Sequence, residues 1–329
     1  MSMFNKEFIL FIFLLLISSV AVAHTDGIYN PSANSVGDTQ GIDSNSTAGG
    51  GTTFQGAGNV VSGATAWVSC SRVYQLSLAS TATSLCDLKD ATTGTVAICT
   101  LRGSTTGFVD LTGSYCAGSL TPAAACAAAA GGSCVVSKAY DQTGNGWDAV
   151  QATLSAMPAL TFAALNSLPC ITFVGASSQK LQSAGGIGSA TVQPFDFSVV
   201  AKRTTVAFGG IVSWDVNHVG IDATSTASTW AVFAGSLGNF TVSDSAFHAV
   251  QGIVNSASSA GYVDGVSTTG LNAGVTGVAG ADKFTLGVLN GAFVTGTICE
   301  AGSWNTGAWN LTTQSNMNAN QHGANGYNF

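Results

Sequence analysis

From Ala64 to the C-terminus the chain alternates short apolar runs with glycine and small polar turn residues, as one continuous domain. The runs at 95–101, 107–111, 134–139, 195–201, 205–212, 229–233, 240–242, 247–254, 261–264, 283–289 and 295–301 have strand length, and turn residues bound them. Charged residues are only 8% of the chain, and 41 glycines interrupt it. A helical protein needs more charge on its solvent faces, and a disordered one is charge-rich and poor in apolar residues. The pattern predicts an all-β fold of two packed sheets rather than a parallel α/β sheet.

The N-terminus reads as a targeting segment. Lys6 precedes an apolar stretch from Phe8 to Val20, and Ala21-Val22-Ala23 supplies small residues for cleavage after Ala23. The stretch is short for a membrane span, which takes about 20 apolar residues, and no later segment resembles one. The expectation is residues 1–23 as a signal peptide and a mature protein that is secreted or periplasmic. Residues 24–63, rich in Gly, Ser, Thr and Asn, read as an extended arm with one edge strand near Phe54. Residues 64–329 then form the domain.

Eight cysteines in an exported chain favour disulfides over metal thiolates or a catalytic thiol. No Cys-x-x-Cys pair occurs, and four histidines give zinc little support. Cys126 and Cys134 are the assignable pair, because only a short helix and a Gly-Gly turn separate them. That helix is the clearest in the chain: Thr121 as cap, Pro122 at its first position, alanines through Ala130, and Gly131-Gly132 as its stop. Pro158-Ala-Leu-Thr-Phe162 is echoed by Pro169-Cys-Ile-Thr-Phe173 and reads as a pair of strands. Residues 310–320 read as a helix over a sheet edge.

After the Cys134–Ala139 run comes Tyr140-Asp-Gln-Thr-Gly-Asn-Gly-Trp-Asp148. With the Ala-rich helix and the cysteine pair, this stretch resembles the catalytic domain of the α-L-arabinofuranosidase B family. More broadly, Asp141-x-Thr-Gly-Asn-Gly146, Pro169–Gly175, Tyr262-Val-Asp-Gly265, Phe284–Val288 and Gly296–Gly302 resemble the concanavalin-A-like and laminin-G-like superfamily. The resemblance is specific over 121–148 and loose elsewhere in 64–329. It implies a concanavalin-A-like jelly-roll β-sandwich and a glycan or polysaccharide partner. It also implies a retaining pair of carboxylates, which such glycosidases hold about 5–5.5 Å apart. Here the chain departs from the family. Leu289-Asn290-Gly291 occupies the acid/base stretch without a carboxylate, and the family's adjacent Cys-Cys pair is absent. Glu300, the single glutamate after residue 23, aligns with a non-nucleophilic glutamate of the last strand.

The candidate residues follow, each with a plainer alternative. Asp141, Thr143, Asn145 and Asp148 offer oxygens to Ca²⁺, which takes about six to eight; the alternative is an Asx-type turn closed on backbone amides. Glu300 beside Trp304 suits a sugar subsite, or else a buried ion pair. Asp215, between Trp214 and His218, is the best carboxylate partner for Glu300 if the site is catalytic, or else a solvated loop residue. Trp147 and Trp309, among polar turn residues, are expected to be exposed for glycan stacking, and Trp304 is the third aromatic candidate. Arg72 with Tyr74 reads as part of a structural ion pair. The net charge of −7 without a basic patch argues against nucleic acid. No Gly-x-Ser-x-Gly elbow marks a serine hydrolase, and Gly185-Gly-Ile-Gly188 opens no helix for a dinucleotide. The functional expectation is an exported glycan-binding protein without the family's catalytic pair. The alternatives are an active glycoside hydrolase using Glu300 with Asp215 or another Asp, and a surface or phage-type structural protein.

Overall fold

The computed structural model describes residues 53–329 except 95–96, 216–217, 306 and 308. The signal segment and most of the arm lie outside the described residues. The first strands are β1 (Ala66–Ser69), β2 (Ser84–Asp90), β3 (Ala97–Arg102), β4 (Cys134–Ala139), β5 (Ala149–Val150), β6 (Ala159–Leu165) and β7 (Leu168–Phe173). Then follow β8 (Leu181–Ser183), β9 (Phe195–Arg203), β10 (Gly209–Trp214), β11 (Val219–Ala223), β12 (Thr229–Phe233), β13 (Leu237–Thr241) and β14 (His248–Val254). The last are β15 (Ser259–Val263), β16 (Val266–Leu271), β17 (Phe284–Leu286), β18 (Val288–Leu289), β19 (Ala292–Phe293) and β20 (Gly296–Trp304). Among the described residues three α-helices accompany them: α1 (Ala57–Val60), α2 (Pro122–Ala127) and α3 (Leu311–His322).

Strand β20 is the hub of the first layer. One edge pairs with β9 along its length, and the other is shared by β7 and β1. From β9 the layer continues through β14 and β15 to β16. The second layer runs β3-β2-β4-β5-β8-β17-β10-β11-β12-β13. Strand β6 links the two by pairing with β7 and meeting β4 at Val135. All pairings are antiparallel except the bridge between Gly210 and Phe293. Between the layers lie Phe195, Phe197, Val199, Ile221, Val232, Val250 and Val254, all fully buried. The all-β expectation therefore holds.

Thr121 caps α2 through Oγ1, which accepts from the Ala124 N–H at 3.4 Å. The arm's expected edge strand at Phe54 is corrected: Phe54 is irregular, packs edge-on against Phe108, and precedes the single helical turn of α1. The disulfides are Cys70–Cys86, Cys99–Cys116, Cys126–Cys134 and Cys170–Cys299. The helix expected at 310–320 is α3, whose Asn310 cap accepts from Thr313 N–H at 2.8 Å. With α1 it covers the outer side of the first layer, around Trp67, Ile253, Tyr262, Trp304 and Met317.

Candidate functional site

Four paired strands of the second layer end together. The start of β5, the end of β8, the start of β17 and the end of β10 meet through Ala149–Ser183, Gln182–Thr285 and Trp214–Phe284. Just beyond these ends lie Trp147 before β5, Asp282 before β17, and Asp215 after β10. The Trp147 ring stands edge-on to Trp214 at 5.6 Å, and Trp214 in turn meets Phe284 at 5.6 Å. Trp214 is fully buried, while Trp147 keeps part of its surface in solvent.

The turn that presents Trp147 is built by Asp141. One Asp141 carboxylate oxygen accepts from the N–H groups of Trp67 and Thr143, each at 3.1 Å; the other accepts from Trp147 N–H at 3.0 Å. Asp148 accepts from Asp141 N–H at 2.9 Å and pairs with Lys138 at 2.6 Å. Asn145 turns its amide nitrogen towards the carbonyls of Ala64 and Thr65, at 3.3 and 3.0 Å. Gly144 and Gly146, at φ +84° and +83°, occupy the left-handed conformations the turn requires. Both Asp141 oxygens, Thr143 Oγ1 and one Asp148 oxygen thus accept from backbone N–H groups, which is Asx-turn geometry.

At the end of β10, Asp215 takes a left-handed backbone (φ +57°) and donates its N–H to Lys283 O at 2.6 Å. His218 Nδ1 bonds Asp282 Oδ2 and lies 3.9 Å from Asp215 Oδ2. One ligand atom from each of Asp215, His218 and Asp282 falls within 4.8 Å of the others, so these residues have the donors and spacing to hold a cation. Asp282 was not singled out in the sequence; its 64-residue separation from His218 hides the pairing. Only 5% of its side chain is exposed, and Ala279 N–H caps the same oxygen at 2.6 Å. Asp215 and His218 are the reachable members.

Three expected site residues lie elsewhere. Glu300, a catalytic candidate, is corrected: it is 1% exposed and clamped by Arg72 Nε at 2.6 Å and Nη2 at 2.9 Å. Gln321 Nε2 adds a bond at 2.7 Å and Tyr327 OH one at 3.3 Å. With its acceptor sites filled under α3, Glu300 has no face for substrate, and the fold does not bring it together with Asp215. A register shift between Ile298 and Glu300 causes this placement. The bulge puts Cys299 and Glu300 on the same outer side, where both meet Tyr327. Trp304 and Trp309 are corrected as stacking platforms. They are 0% and 9% exposed and pack edge-on to each other at 4.6 Å. The acid/base stretch of the resembled family is here a tight hairpin: Leu289 pairs with Ala292 around Asn290 and Gly291, at φ +52° and +72°.

No protein-family model matches the chain, and no curated protein does. Solved structures do match. An arabinofuranosidase complexed with arabinofuranosyl-α-1,2-xylobiose is 16% identical with a TM-score of 0.57, over 80% of this chain and 65% of that one. A GH54 α-L-arabinofuranosidase soaked with a cyclic sulfate inhibitor is also 16% identical, TM-score 0.56, over 78% and 62%. The chain thus spans less than two thirds of either structure's length. At this identity the likeness concerns the fold: the chain folds as an all-β protein similar to the arabinofuranosidases.

Proposed function

We propose that this protein is an exported, glycan-binding β-sandwich of the concanavalin-A-like jelly-roll type, without the catalytic carboxylate pair of the arabinofuranosidases it resembles in fold. The observation that carries this reading is the strand-end surface. There a partly exposed Trp147 is backed by buried Trp214, and Trp214 is followed in the chain by Asp215, which lies 3.9 Å from His218. An aromatic edge-braced by a second ring offers its remaining surface to a sugar face, and a carboxylate and an imidazole suit hydroxyl groups. The structural neighbour that holds an arabinosylated xylobiose makes arabinose-substituted xylan the first substrate class to test. The four disulfides and the lack of any membrane-crossing helix among the described residues are compatible with export.

The test pairs binding with turnover. Retention on immobilised arabinoxylan is expected, with Trp147→Ala weakening it about tenfold or more, and no release of 4-nitrophenol from the aryl arabinofuranoside. Retention unaffected by Trp147→Ala would overturn the reading. One observation favours a second reading, an active glycosidase: Asp215 and Asp282 bring carboxylate oxygens within 4.8 Å, near retaining spacing. Turnover abolished by Asp215→Asn would establish it, whereas turnover abolished by Glu300→Gln with the fold intact would restore Glu300 as catalytic. Ca²⁺ added to EDTA-treated protein is expected to shift the Tm by less than about 1 °C, because both Asp141 oxygens and one Asp148 oxygen already accept backbone N–H groups and Lys138 holds the other Asp148 oxygen. A calcium-specific rise of several degrees would assign the 141–148 turn to the cation instead.

A further inference from the structure

Away from the strand-end surface, three residues from three different segments meet where the two layers close. Ser243 follows β13, His248 opens β14, and Asp264 follows β15. Ser243 Oγ lies 2.7 Å from His248 Nε2, and His248 Nδ1 lies 2.5 Å from Asp264 Oδ2. A carboxylate only accepts, so the Nδ1 proton points at Asp264. The Nε2 lone pair is then left facing the serine hydroxyl. This is the tautomer a general base needs, imposed by a third group.

Asp264 is held from several sides. Its N–H donates to Ala249 O at 2.9 Å, and its Oδ1 accepts from Ala249 N–H at 2.9 Å. The carboxylate is thereby fixed to the strand residue next to His248. His322, at the end of α3, brings Nε2 to 3.0 Å from the same Oδ1. Burial raises the Asp264 carboxyl pKa, but the bonds from His248 and Ala249 and the two imidazoles outweigh it and hold the group below its ordinary value. Ser243 is exposed, while only 11% of the His248 side chain is. The nucleophile thus faces solvent and its base is shielded.

We propose that Ser243, His248 and Asp264 are a nucleophile, base and orienting carboxylate that hydrolyse esters of small acyl groups. Ser243 Oγ bonds to the carbonyl carbon as its proton passes to His248 Nε2. The ester C–O bond then breaks, and that proton leaves with the alcohol. Water, giving its proton to the same nitrogen, attacks the acyl-serine; the carboxylic acid departs and Ser243 regains its proton. Each turnover consumes one ester and one water and needs no other reactant.

The full chain, treated with a fluorophosphonate probe and mapped by mass spectrometry, tests this. Ser243 is expected to be labelled and Ser243→Ala to abolish labelling. His248→Gln should slow labelling at least about 100-fold. Asp264→Asn, whose amide no longer enforces the tautomer, should slow it at least about tenfold and serves if near-UV circular dichroism shows that His248→Gln does not fold. An unlabelled wild type, labelling that survives Ser243→Ala, or a folded base variant labelled at the wild-type rate would each overturn the proposal.

Discussion

Replacing Arg72 with Met is expected to lower the unfolding free energy by about 3–5 kcal/mol, measured by urea denaturation with disulfides intact. Arg72 is fully buried and spends its donors on Glu300, on Asn320 Oδ1 at 2.8 Å, and on Asn325 O at 2.8 Å. Burial alone would lower its pKa, but the Glu300 charge and hydrogen bonds more than compensate, so the guanidinium is held charged. Removing it leaves the buried Glu300 carboxyl without its counter-charge, and that uncompensated group is what destabilises the fold. The double variant Arg72→Met with Glu300→Leu removes both charges, and most of the lost stability should return. Glu300→Gln should destabilise while leaving any turnover per folded molecule unchanged. A loss below about 1 kcal/mol for Arg72→Met would mean that water reaches the pair and that its burial is not what holds it.

This clamp explains how a residue offered for catalysis becomes a structural one. Arg72 and Glu300 are 228 residues apart, and with Asn320 and Tyr327 they tie the segment after β1, the last strand and the C-terminal tail together. The contrast with the strand-end surface is chemical. There Asp215 and His218 keep exposed atoms, whereas every Glu300 partner is buried.

What the sequence reveals of this fold is what local chemistry decides. Thr121-Pro122 and the alanines determine α2 within one segment, and the nearby Cys126–Cys134 bridge follows from it. The repeated Pro-x-x-Thr-Phe runs become β6 and β7 because each alternates inward and outward residues against a neighbour one turn away. Strand β16 escapes notice because its sequence VSTTGL is exposed nearly throughout and has no apolar face to read. Helix α3 is expected at 310–320, but its inward face is mostly polar, burying Gln314, Asn320 and Gln321 as well as Met317, which hydropathy does not show. Trp309 misleads for a related reason. Its polar chain neighbours suggest solvent, yet Trp304 and the Asp196 carboxylate receive it. The candidate sites depend on pairings such as Ser243 with His248 and Asp264, or His218 with Asp282. Sheet register decides these, and no local spacing encodes them.

The Asp196 carboxylate gives a second large expected effect, one that depends on pH. It lies on β9, fully buried, with one oxygen accepting from Trp309 N–H at 3.0 Å and the other without a partner among the described residues. Burial pushes its pKa from the ordinary 3.8 up to about 7, against the lowering effect of that one bond. The unfolded chain loses this proton near 3.8, while the folded protein keeps it until about 7. Between those values the folded state binds more protons, so this group's stabilising contribution is intact below 3.8 and lost as pH rises to about 7. The full difference is on the order of 4 kcal/mol, at roughly 1.4 kcal/mol per pKa unit. Asp196→Asn keeps an acceptor for Trp309 and carries no charge at any pH. The variant should match wild type near pH 4 and exceed it by about 2–4 kcal/mol at pH 8. Taking the difference between the two proteins at each pH removes the opposite slope from Asp264 and Asp244, whose carboxyls are held below their ordinary value. A difference that does not grow between pH 4 and pH 8 would mean that Asp196 ionises freely in the folded protein, through a charge partner or water reaching beneath Trp309.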